Sequence, residues 1–136
     1  MLLPPARRTQ RRAGRRQRRA PPPLLAEPTD PPTGAPAVDY LPATPGPPLG
    51  VAVGRSYSTH RQVLPGGATV LLFTDGLVER RDTSLDESLR RLCAELSRAP
   101  HRLDEICDQL VTTMLGTQPA ADDVAVLSAR APRRPT

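Results

Sequence analysis

The sequence predicts an α+β domain, a small sheet with helices packed on it, and three observations carry that expectation. Short apolar runs such as Val70-Leu-Leu-Phe73 and Val124-Ala-Val-Leu127 have the length and composition of strands. Between those runs, apolar residues recur twice at helical spacing, over residues 85–96 and 103–115. Strands, then two helices, then a strand is an order that lays helices against a sheet.

Residues 1–20 hold eight of the 19 Arg and no Asp or Glu. With few apolar residues to offset the entropy of ordering, they read as a disordered basic tail. A domain is expected over 21–130 and a second short disordered tail over 131–136. Leu24-Leu25-Ala26 and Val38-Asp39-Tyr40-Leu41 are short strand candidates, separated by a Pro/Gly/Asp turn cluster. Leu49–Val53 reads as a short extended piece and Arg61–Leu64 as a further strand. Pro65-Gly66-Gly67 then turns the chain into a strand over Thr69–Thr74. Its four consecutive apolar residues suit a strand covered on both faces. A domain built from these pieces has few strands to provide that cover.

Ser84-Leu-Asp-Glu87 has the form of a capping box, in which the Ser hydroxyl accepts from the Glu87 amide and Glu87 reaches back. Leu85, Leu89, Leu92 and Leu96 then form one helical stripe. After Pro100, Leu103, Ile106, Cys107, Leu110, Val111, Met114 and Leu115 form a fuller one. Asp104 and Glu105 complement the dipole of that second helix, and Gly116 suits its end. Val124–Ala129 is the last strand.

Composition is uneven along the chain. Of its 18 Pro, 13 lie in the first 48 residues, and every basic residue is Arg. Removing the eight Arg of 1–20 leaves 11 against 14 acidic residues, about −3 for 21–136, so the net +5 describes the tail alone. Only Tyr40, Tyr57 and Phe73 are aromatic, and the core must come from Leu, Val and Ala. Cys93 and Cys107 fall within the helical patterns and read as buried, reduced thiols. No Cys/His spacing of a metal site occurs, and no run reaches the ~18 apolar residues of a membrane span. The first residues contain no apolar segment of a secretory signal, so a cytoplasmic location is expected. His60 and His101 read as surface or boundary residues.

Two acidic motifs carry the chemistry. Asp75-Gly76 closes the strand Thr69–Thr74, and Asp122-Asp123 opens the last strand, with 46 residues between Asp75 and Asp122. An Asp-Gly pair after a strand commonly makes a turn, and an acidic pair after Pro119-Ala-Ala commonly punctuates a loop. The alternative is that Asp75 and Asp122 meet as part of a hard-cation site, since Mg²⁺ and Mn²⁺ prefer carboxylate and water oxygens.

Leu71-Leu-Phe-Thr-Asp75-Gly-Leu-Val-Glu-Arg80, two helices, then Asp122-Asp-Val-Ala-Val-Leu127 resembles the C-terminal part of the PPM-type metal-dependent protein serine/threonine phosphatases, and within them the SpoIIE type. Pro21-Pro-Pro-Leu-Leu25, Gly46-Pro-Pro-Leu-Gly-Val51 and Val63-Leu-Pro-Gly-Gly-Ala-Thr-Val70 resemble upstream segments of that family in the same order. The resemblance covers about residues 21–130. It implies an α-β-β-α sandwich, two Mn²⁺ or Mg²⁺ ions between the sheets, and hydrolysis of phosphoserine or phosphothreonine by a metal-activated water. By position, Asp75 and Asp122 would be metal ligands, Gly76 would let the backbone approach the ion, and Asp123 would support the ligands or accept at a turn. The substrate class implied is a phosphorylated regulatory protein such as an anti-sigma factor antagonist.

The family's Gly-Asp-x-x-Asp and Asp-x-x-Gly-His-Gly motifs do not occur. Only Asp30 and Asp39 precede Asp75, and Arg18-Arg-Ala20 stands where the family has Ala-Gly-His. The expectation is therefore an incomplete sandwich, the C-terminal part of a phosphatase domain fronted by unrelated sequence. Such a chain would have little or no activity alone, and exposed apolar strand faces would limit its solubility. Two other classes stay open. One is a regulatory or interaction domain that keeps the fold without the chemistry. The other is nonspecific binding of nucleic acid by the Arg-rich tail.

Overall fold

The computed structural model describes residues 21–29, 34–44, 46–47, 50–51, 53–99 and 102–133. The expected tail over 1–20, Asp30, Leu49, His101 and residues 134–136 lie outside them. Four strands form one antiparallel sheet: β1 (Leu24–Glu27), β2 (Ala37–Tyr40), β3 (Thr69–Phe73) and β4 (Val126–Arg130), in the order β2-β1-β3-β4. Two 13-residue helices, α1 (Leu85–Ser97) and α2 (Leu103–Leu115), connect β3 to β4. The α+β expectation is met.

Alternation along the strands decides which face is covered. Leu24 and Ala26 of β1 and Leu71 and Phe73 of β3 point to the helices and are buried. They pack with Leu92 and Leu96 of α1 and Ile106, Leu110 and Met114 of α2, while Val38 and Val126 close the edges. Burying a Leu or Ile side chain contributes about 1.5–3 kcal/mol, so this single layer is the main source of stability. The other sheet face carries Leu72 and Leu127, which are cross-strand partners in the β3–β4 ladder. They are 46% and 57% exposed. Only one side of β3 is thus covered by helices.

Both helices begin and end as their sequences dictate. The Glu87 amide donates to Ser84 Oγ at 3.2 Å, the first half of the capping box. Leu92 and Leu96 are buried and Leu89 is half-buried, whereas Leu85, in the first turn, stays exposed. Helix α2 closes at Gly116, whose amide donates to Thr112 O. Its final carbonyls also receive arginines: Arg80 Nη2 donates to Leu115 O and Arg91 Nη2 to Thr113 O, each at 2.9 Å. Cations at a helix C-terminus complement its dipole.

Three expectations need correction. Arg61–Leu64 forms no strand; it pairs with no other segment among the described residues, and Val63 is almost fully exposed. The chain turns rather than extends over the described residues of 49–53. Instead, Thr44 Oγ1 meets His60 Nε2 at 2.7 Å, with His60 at the surface, as expected. The cysteines are free but half-buried. Cys107 Sγ donates to Ser128 Oγ across the α2–β4 contact. Burial pushes the Cys93 thiol above its ordinary range; the neighbouring Tyr40 hydroxyl opposes the rise and Asp39 adds to it.

Candidate functional site

Strand β3 ends in a tight 3₁₀ turn over Asp75–Leu77. The turn is held by its own backbone: Leu77 N donates to Thr74 O at 3.1 Å, and Val78 N and Glu79 N both donate to Asp75 O at 3.0 and 2.8 Å. Leu77 and Val78 are fully buried and pin the turn to the core beneath α2. Asp75 is half-buried, and Asp122 and Asp123 are exposed. A strand end anchored by apolar residues thus carries a half-buried Asp75.

The two acidic motifs are brought together by backbone contact. At Gly76 an added Cβ would overlap the Asp123 carbonyl oxygen and lie 2.8 Å from that of Asp122. Both obstacles are backbone atoms, so only glycine fits without displacing the turn. Thr74 fastens the same junction. Its hydroxyl donates to Asp123 O at 3.0 Å and accepts from Ala125 N at 2.9 Å, and its own amide donates to Ala125 O at 3.0 Å. Asp122 Oδ1 accepts from the Asp123 amide at 2.9 Å, which orders the Asp122-Asp123 turn. Three hydrogen bonds and a glycine-sized gap therefore join motifs separated by 46 residues.

Of the four residues singled out in the sequence, Gly76 seats against the Asp122 and Asp123 carbonyls, and Asp75 is its chain neighbour. Thr74 lay inside the quoted motif without an assigned role. Its signal was a hydroxyl residue directly before Asp-Gly, but a hydroxyl's partner is not written in its neighbours. Among the described residues, no three His, Cys, Asp or Glu side chains gather closely enough to hold a metal ion. A hard cation such as Mg²⁺ or Mn²⁺ takes about six oxygen ligands.

No described helix is long and apolar enough to cross a membrane. Over residues 18–132 the chain matches the family described as stage II sporulation protein E (SpoIIE). The crystal structure of the RsbU and RsbW domains of Rv1364c from Mycobacterium tuberculosis is similar to it, with a TM-score of 0.68 and 26% sequence identity. The similarity covers 85% of this chain and 32% of that one. No curated protein matches the chain.

Proposed function

The chain belongs to the SpoIIE family, and from that membership we propose that it is the Asp75/Asp122 portion of a PPM-type protein serine/threonine phosphatase domain. The observation that carries this reading is the seating of Gly76 against the Asp122 and Asp123 carbonyls, which brings two distant acidic motifs to one place. Asp75 and Asp122 are the residues assigned to a divalent cation, Mn²⁺ or Mg²⁺, with Gly76 admitting the close approach and Thr74 and Asp123 holding the turn. The remaining carboxylates must come from outside the residues gathered here, because neither Gly-Asp-x-x-Asp nor Asp-x-x-Gly-His-Gly occurs in the sequence. The substrate class proposed is a phosphorylated regulatory protein, in keeping with a solved relative that combines RsbU and RsbW domains in one chain.

The test pairs ion binding with turnover. Mn²⁺ titration followed by electron paramagnetic resonance should show a weak site that is lost in Asp75→Asn and in Asp122→Asn. p-Nitrophenyl phosphate hydrolysis by the chain alone should stay at background. Unchanged Mn²⁺ binding in both variants would sink the ligand assignment. Mn²⁺-dependent turnover abolished by Asp75→Asn would instead show a self-sufficient centre and overturn the incompleteness.

We keep a second reading, a regulatory or interaction domain that keeps the fold without hydrolysis, in keeping with a sequence that carries neither Gly-Asp-x-x-Asp nor Asp-x-x-Gly-His-Gly. That reading predicts binding to a phosphorylated partner which survives Asp75→Asn.

A further inference from the structure

The two acidic motifs are tied a second time, away from the carboxylates themselves. Beyond Asp75 the chain leaves its 3₁₀ turn through Leu77 and Val78, both fully buried, so the backbone leading to Arg80 is fixed against the core. Half-buried Arg80 reaches from there to the last residue of α2, where its Nη2 donates to Leu115 O at 2.9 Å. The same carbonyl accepts from Gln118 N at 3.3 Å, in the turn by which the chain leaves the helix. Leu115 O is thus the point where α2 ends and the loop leading to Asp122 begins.

That loop has little of its own to hold it. Every residue over 116–123 is exposed, so no buried side chain anchors it. Its far end is fixed where the Asp122 and Asp123 carbonyls meet Gly76 and Thr74. Its near end is fixed only by the terminus of α2. The segment that follows Asp75 also runs beside it, since Glu79, Arg80 and Arg81 line one cleft together with Ala121, the residue before Asp122.

We propose that Arg80 is a positioning residue for the acidic junction. By holding Leu115 O it sets where the loop starts relative to the Asp75 turn, and so where Asp122 arrives. A guanidinium suits this task, because a charge-assisted bond is stronger than a neutral one and this bond is partly buried. Arg91 makes the same kind of bond with a different geometry. It donates from α1 to Thr113 O, at 2.9 Å and at the surface. Both arginines satisfy carbonyls that a helix end leaves open. Arg91, however, ties helix to helix, whereas Arg80 ties the turn after Asp75 to the loop before Asp122. The consequence for a cation rests on the reading of Asp75 and Asp122 as ligands; the positioning of the loop does not.

Hydrogen exchange of the full chain is followed by NMR in the parent, Arg80→Gln and Arg91→Gln. The amides of Thr74 and Ala125, bonded across the junction, are compared with those in the middle of β3 in the same sample, which cancels any change in global stability. In Arg80→Gln the junction amides should exchange at least ~tenfold faster than the middle of β3. In Arg91→Gln the two sets should stay together. Arg80→Lys keeps a charged donor without the planar fork. It should show a smaller acceleration at the same two amides, and it decides the matter if Arg80→Gln does not fold. In Mn²⁺ titrations Arg80→Gln should weaken binding about tenfold and Arg91→Gln should leave it unchanged. No local acceleration in either Arg80 variant would overturn the proposal. Equal acceleration in Arg91→Gln would also overturn it, by reducing Arg80 to a helix cap. So would Mn²⁺ binding that is lost in Asp75→Asn yet kept at parent strength in Arg80→Gln. If Mn²⁺ binding ignores Asp75→Asn, the ligand assignment fails and the exchange result alone decides the role of Arg80.

Discussion

At Gly76, one methyl group is enough to disturb the acidic junction. Gly76→Ala would press a Cβ into two peptide carbonyls, and backbone gives way less readily than a side-chain tip. Overpacking of this kind costs about 1–3 kcal/mol, and that loss is expected in urea denaturation. Mn²⁺ binding should weaken alongside it, because the Asp122-Asp123 turn must move. Stability within ~0.5 kcal/mol of the parent would show that the turn yields freely and that Gly76 does not set the spacing. Thr74 acts differently at the same place. It closes space with hydrogen bonds where Gly76 leaves space open, and the two together set the spacing between the end of β3 and the start of β4.

Among the elements, α2 shows how charge supports a start that lacks a capping side chain. Its N-cap is Arg102, which makes no side-chain cap bond. Instead Arg102 pairs with Asp104 at 2.7 Å and Glu105 at 3.2 Å in the first turn. The Arg102 guanidinium holds the Asp104 carboxyl below the usual carboxylate range, with help from backbone amides. A depressed folded pKa gives stability that is present above the ordinary value, about 3.9, and lost as pH falls through the folded one. Arg102→Ala should therefore raise the Asp104 pKa toward the ordinary value in an NMR titration. A value that does not move would exclude Arg102 as the cause. Elements like α2 were legible in the sequence because a 3.6-residue stripe and end signals are local. The Arg61–Leu64 strand failed for the converse reason: a strand needs a neighbour, and four residues of suitable type do not reveal whether one lies alongside. The acidic motifs were legible as motifs, whereas Thr74 and the seating of Gly76 required the β3–β4 register.

For the whole molecule, the helices cover one face of the sheet, and Leu72 and Leu127 remain exposed on the other. Adjacent apolar side chains on an open sheet favour self-association. Leu72→Lys with Leu127→Glu, an opposite-charge pair across the same rung, should lower light scattering at high protein concentration. Tm should stay within a few degrees, because neither side chain belongs to the buried layer. A fall of more than ~10 °C would show instead that this face is buried in solution.

Because the acidic motifs lie on either side of a two-helix excursion, they become neighbours only when β3 and β4 pair. No local fragment of the chain can form the junction ahead of the fold, and contacts of such long sequence separation form late. The amides of Thr74 and Ala125, both bonded across it, should exchange hydrogen only through global unfolding. Faster exchange at these two than in the middle of β3 would contradict this. Any cation captured there would consequently act on the folding equilibrium of the entire chain, stabilising it by mass action instead of tightening one loop.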